Sequence, residues 1–117
     1  MPGTRVLVVE DESLLAETLC DLMQVAGCQP IGPAATVAAA LRLIDQGPID
    51  VAVLDIRLLS EMSFPVAYAL RRRGIPLLFL TSCEPRHLPK DLGDTILVEK
   101  PFSAPLLIEI VQRLAMI

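Results

Sequence analysis

Val6-Leu7-Val8-Val9-Glu10-Asp11-Glu12-Ser13 (VLVVEDES) runs four apolar residues directly into three carboxylates. A short continuous apolar run rich in β-branched residues is the pattern of a strand buried on both faces, as in parallel sheets covered by helices. Helical spacing follows at once over 13–26, where Leu14, Leu15, Thr18, Leu19, Leu22 and Val25 recur at three and four. Gly27 stands where a helix commonly ends. The acids therefore occupy a strand-to-helix junction, and like charges crowded at the mouth of an apolar core call for a reason.

The same alternation continues along the chain. Residues 29–34 form a weak strand, with Pro30 and Pro33 suited to a sheet edge. Residues 36–46 are helical, with Thr36 as N-cap and Gly47-Pro48 as the stop. Val51–Leu54 is a second buried strand, ending at Asp55. The next helix is expected over 61–73, with Pro65 in its first turn and Gly74 closing it. Leu77–Leu80 is a strand ending at Thr81-Ser82, and Thr95–Val98 a strand ending at Glu99-Lys100-Pro101. The last helix spans 103–116, with Ser103 as N-cap. Only the connection 83–94 breaks the pattern, since Pro85 and Pro89 leave room for a turn or two of helix.

Five strands alternating with helices imply an α/β, doubly wound parallel sheet. The flavodoxin-like order 2-1-3-4-5, with a reduced fourth helix, is the expected topology. A chain of 117 residues fits one domain spanning 1–117. Apolar residues make up 53% of it and the mean hydropathy is +0.57, enough for a packed core. The apolar runs are too short to cross a membrane, and the N-terminus lacks a secretory pattern, so a cytoplasmic location is expected. Ten basic against fourteen acidic residues give a formal charge of −4, which argues against general nucleic-acid binding. Cys20, Cys28 and Cys83 lack CxxC spacing and read as small apolar packing residues. His87 reads as a surface residue, and Arg71-Arg72-Arg73 as solvated charges at a helix C-terminus.

In sheets of this kind ligands sit beyond the carboxyl ends of the strands. The strands deliver Glu10, Asp11 and Glu12, then Asp55, then Thr81 and Ser82, then Lys100 to that edge. With strands one, three and four adjacent, the acids converge beside a hydroxyl and an ammonium. Crowded carboxylates raise one another's pKa unless a cation neutralises them, and Mg²⁺ prefers such oxygen ligands. Asp55 can then serve as a nucleophile toward a phosphoryl group, with Lys100 and the cation offsetting its charge. Each residue alone also reads as ordinary capping or turn chemistry. Their occurrence at the ends of successive strands is the specific signal.

These residues resemble the receiver domain of bacterial two-component response regulators over essentially the whole chain. The likeness rests on VLVVEDE, on DVAVLDIRL around Asp55, on PLLFLTS ending at Thr81-Ser82, and on VEKPF at Lys100-Pro101-Phe102. The resemblance implies a switch that catalyses its own phosphorylation and dephosphorylation rather than an enzyme acting on other substrates. It implies Asp55 as phospho-acceptor, Asp11 as direct Mg²⁺ ligand, Glu10 as a ligand mostly through water and the Arg57 backbone carbonyl as a further ligand. Thr81 becomes the switch hydroxyl and Lys100 the phosphoryl charge partner, with a Lys100–Pro101 bond of a type usually cis. The implied partners are a histidine kinase or histidine phosphotransfer protein.

Three departures stand out. Leu97 replaces the usual aromatic three residues before the lysine. Leu59 replaces the usual proline after the phospho-acceptor, and the glycine that often follows is replaced within 60–64. The fourth helix is short. A switch working through the segment after Thr81 is therefore expected. The chain reads as a stand-alone receiver or one excised from a larger protein. Its last helix carries more apolar residues than one buried stripe needs, which would suit a homodimer or kinase contact. Two alternatives remain: a haloacid-dehalogenase-like phosphatase, which would need an Asp where Arg57 stands, and a receiver-like module that binds partners without being phosphorylated. A nucleotide- or flavin-binding module lacks any glycine-rich phosphate loop here.

Overall fold

The computed structural model describes residues 3–82 and 88–116. Its elements are β1 (Arg5–Val9), α1 (Ser13–Val25), β2 (Gln29–Ala34), α2 (Val37–Gln46), β3 (Val51–Asp55), α3 (Phe64–Arg72), β4 (Leu77–Thr81), β5 (Ile96–Glu99) and α4 (Ala104–Ala115), with one 3₁₀ turn at Lys90–Leu92 before β5. All strand pairs are parallel and the spatial order is β2-β1-β3-β4-β5, the expected topology. Cys83, Pro85 and His87 lie outside the described residues. The expected shortening of the fourth helix is therefore visible only as that 3₁₀ turn.

Period-two alternation on the buried strands splits the core into two layers. Leu7, Val9, Ala52, Leu54 and Phe79 point to one face and meet Ala40 and Ile44 of α2 and Val66, Ala67 and Leu70 of α3. Val6, Val8, Val51, Val53, Leu78 and Leu80 point to the other and meet Leu19 and Met23 of α1 and Leu107, Val111 and Leu114 of α4. Phe64, opening α3, packs edge-on against Phe79 with ring centroids 6.0 Å apart, a favourable aromatic geometry. Leu97, which stands where the family's usual aromatic would, packs partly buried against the α2/α3 layer. Cys28 is buried and Cys20 half-buried, in keeping with a packing role.

Four details differ from the reading of the sequence. The buried stripe of α1 is Ala16, Leu19 and Met23, whereas Leu14 and Val25 are 71% and 82% exposed. Apolar spacing marks a helical face, but two overlapping stripes fit these residues and only docking selects one. Helix α3 starts at Phe64, three residues later than expected, because residues 57–62 turn back on themselves in a short antiparallel bridge between Arg57 and Met62. Arg71 and Arg73 are not merely solvated charges. Arg71 donates to the Asp91 carbonyl at 2.8 Å and to Thr95 Oγ1 at 2.9 Å and pairs with Asp94, while Tyr68 donates to Asp91 Oδ1 at 2.8 Å. Arg73 pairs with Asp45 and reaches the Ile44 carbonyl at the end of α2. Most of the apolar excess of α4 is absorbed: Ile108 and Ile110 pack partly buried, leaving Leu106 and Met116 outward.

Candidate functional site

Each polar residue of interest sits one step beyond or at the last rung of a parallel ladder. Glu10 N–H donates to the Ala34 carbonyl at 2.9 Å, Ile56 N–H to the Leu80 carbonyl at 3.0 Å, and Lys100 N–H to the Thr81 carbonyl at 2.8 Å. The register pairs Val9 with Leu54, Asp55 with Leu80, and Thr81 with Glu99. The sheet backbone thus places Glu10, Asp55, Thr81 and Lys100 at one level of its carboxyl edge. The Lys100–Pro101 bond is cis, as the resemblance implies; so is Gly32–Pro33, which no sequence signal singled out.

Lys100 Nζ lies 3.0 Å from Asp55 Oδ2 and 3.2 Å from Glu10 Oε1. Glu10 and Asp55 are buried, Asp11 and Lys100 half-buried, and Thr81 is buried at the end of β4. Glu10, Asp11 and Asp55 each offer a carboxylate oxygen, and these oxygens all lie within 4.8 Å of one another. Three hard oxygen donors at that spacing, with a backbone loop beside them, fit the ligand preference of Mg²⁺. The other Glu10 oxygen accepts the Glu12 N–H at 3.1 Å. Glu12, which precedes α1, makes no side-chain cap, so the start of α1 is served by Glu10 rather than by the nearer acid.

Burial is the main cause that lifts the Glu10 carboxyl to about pH 7, with the Asp55 charge adding to it; the Glu12 N–H and Lys100 oppose it. The carboxylates raise the Lys100 ammonium above its usual range, although burial alone would lower it. A carboxyl whose folded pKa exceeds its unfolded value of about 4.5 binds its proton more tightly when folded. Its stabilising contribution is full below that unfolded value and lost as pH rises through about 7. In chelator the melting temperature is therefore expected to fall between about pH 5 and 8, and more steeply in Lys100→Met, where the ammonium no longer opposes Glu10 protonation. Added Mg²⁺ is expected to flatten the trend, because it favours the ionised form. Scanning fluorimetry across this range would read both effects; a melting temperature that rises with pH contradicts the assignment.

Beyond the strand ends, two side chains that the sequence did not mark organise the segment after β3. Ser63 is fully buried, and its hydroxyl and its N–H both donate to the Ile56 carbonyl, at 3.1 and 2.9 Å. Glu61 reaches across to α2, where its Oε2 accepts the Val37 N–H at 3.0 Å. Together with Thr36, whose hydroxyl accepts from Ala39 N–H at 3.1 Å, it caps that helix. A serine or glutamate in a polar loop carries no periodic signal, so only the folded geometry reveals these bonds.

The profile of the response regulator receiver domain family matches residues 6–112. Among solved structures, SdrG from Sphingomonas melonis Fr1 is 35% identical, with 98% of each chain covered and a TM-score of 0.83. The receiver domain of the PhyR response regulator from Erythrobacter litoralis is 27% identical, covering 99% of this chain and 92% of that one, with a TM-score of 0.88. The response regulator PhyR from Brucella abortus is 25% identical, covering 97% of this chain and 48% of that one, at 0.85. No curated protein is a significant match.

Proposed function

The chain belongs to the response regulator receiver domain family, and from that premise we propose that it is a single receiver domain spanning 1–117 whose Asp55 accepts a phosphoryl group from a histidine kinase or phosphotransfer protein. The observation that carries this reading is the contact of Lys100 Nζ with both Asp55 and Glu10 at the carboxyl edge of the sheet. An ammonium at that place neutralises the acceptor before transfer and the phosphoryl oxygens after it.

In the transfer, an Asp55 carboxylate oxygen attacks phosphorus as the donor's P–N or P–O bond breaks, and the leaving group keeps the electron pair. Lys100 stays hydrogen-bonded and follows the added charge. Thr81, buried at the end of the adjacent strand, would bond a phosphoryl oxygen. Glu10, Asp11, Asp55 and the Arg57 carbonyl would hold the cation. Mg²⁺ bound there would polarise the phosphoryl oxygens and offset the crowded negative charge. Reversal is hydrolysis of the acyl phosphate by water. The output is a change in partner binding; no described helix is long and apolar enough to cross a membrane. SdrG has a BeF3-activated conformation, and this chain matches it over 97% of its length with 35% identity and a TM-score of 0.80, which supports a receiver that switches.

The reading is tested by incubating the protein with Mg²⁺ and acetyl phosphate and following intact mass. The expected result is a stable gain of one phosphoryl group that chelator abolishes. Continuous phosphate release without a persistent adduct favours a phosphatase, and no reaction favours a binding module.

A further inference from the structure

We propose that Ser63 is a positioning residue for the Arg57 carbonyl, the backbone ligand of the cation site; the inference rests on the metal-site reading given above. Residues 57–62 contain neither proline nor glycine, so hydrogen bonds must remove the freedom of this loop. The backbone from Asp55 to Leu58 comprises three peptide planes. The first is fixed by the sheet, through Ile56 N–H to the Leu80 carbonyl. The second is fixed by Ser63, whose N–H and buried hydroxyl both bond the Ile56 carbonyl. The third contains the Arg57 carbonyl and the Leu58 N–H, and that N–H donates to the Glu61 carbonyl at 2.8 Å.

In a trans peptide the carbonyl points opposite to the N–H of the same plane. Because Leu58 N–H faces the returning strand, the Arg57 carbonyl faces away from it. The bridge confirms this pairing: Arg57 lies opposite Met62 as the pair flanked by hydrogen bonds rather than sharing them, the arrangement in which both residues turn their own polar groups outward. Ser63 clamps the hinge about which that outward carbonyl would otherwise rotate. A buried hydroxyl here does the restraining for which proline and glycine would otherwise be used.

The test is Mg²⁺ binding to the full chain by calorimetry, with melting temperature measured in parallel. Ser63→Ala is expected to weaken Mg²⁺ about tenfold, a usual loss when an outer partner of a metal ligand is removed. Ser63→Cys, which keeps a side-chain donor but a weaker and larger one, is expected to fall between Ser63→Ala and the parent. Val111→Ala, in the opposite core layer, is expected to lower the melting temperature with unchanged Mg²⁺ affinity. Asp11→Asn is expected to lose most Mg²⁺ affinity. Parent-like affinity in both Ser63 variants, alongside weakened binding in Asp11→Asn, overturns the inference and leaves the metal site standing. Equal weakening in Val111→Ala also overturns it, since affinity would then follow stability alone. Unchanged affinity in Asp11→Asn overturns the metal-site reading itself.

Discussion

Asp55→Ala is expected to take up no phosphoryl group from acetyl phosphate and Mg²⁺, while remaining folded. The other two carboxylates cannot replace it. Glu10 is 2% exposed and both of its oxygens are engaged, one by Lys100 and one by the Glu12 N–H. Asp11 is half-buried at the start of the following loop, and no described contact joins it to Lys100. Asp55 ends β3 and makes the shorter of the two contacts to the ammonium, at 3.0 Å against 3.2 Å for Glu10. The fold should tolerate the change because β3 is held by Val51–Leu54, all fully or nearly fully buried between the two core layers. Lys100 also keeps Glu10 as a partner. Removing the Asp55 charge takes away one of the causes that raise the Glu10 carboxyl, so the pH at which stability declines should move down. Intact mass and circular dichroism would check the pair of outcomes; persistent phosphorylation of a folded variant would show that another residue is the acceptor.

The strand ends were legible because their signals are one-dimensional. A buried parallel strand reads as an apolar run, and the first polar residue after it must lie at the carboxyl edge. Glu10, Asp55 and Thr81 follow that rule, Lys100 comes one residue later, after the exposed Glu99, and the strand order then brings the four to one place. What the sequence does not encode locally is which neighbour a flexible polar side chain finds. Ser63 and Glu61 look like ordinary loop residues until Ile56 and Val37 are brought next to them. Arg71 looks like a solvated charge until the 91–95 segment folds over it. The stripe of α1 was ambiguous for a related reason: Leu14 and Val25 satisfy the helical period as well as Ala16 and Met23 do, and only packing against β1 and β2 decides between them.

Gly32→Ala is expected to cause the largest loss of stability, about 3 kcal/mol, from backbone strain together with a steric clash. For a domain of this size that corresponds to a melting temperature lower by about 10 °C. Gly32 has φ +105°, a region L side chains rarely adopt. A Cβ built there would lie 2.9 Å from Ala34 N and 3.1 Å from the Val8 carbonyl oxygen. Both are backbone atoms, and Val8 belongs to a strand paired with β3, so neither can yield as a side chain would. The register explains why the chain is so tight here. Leu7 pairs with Ile31 but Val9 with Ala34, so β2 carries one extra residue, a bulge in this edge strand. The bulge also brings the Ala34 carbonyl to the Glu10 N–H at 2.9 Å. Relief of the clash by moving β2 outward would therefore loosen Glu10, and Mg²⁺ affinity should fall along with stability. Gly47→Ala is the control, because its φ of −172° is ordinary extended backbone and nothing lies within 4 Å of an added Cβ. Thermal melts of the two variants should differ by most of the predicted 10 °C; a Gly32→Ala variant that melts with Gly47→Ala would mean that β2 can shift freely and does not set the position of Glu10.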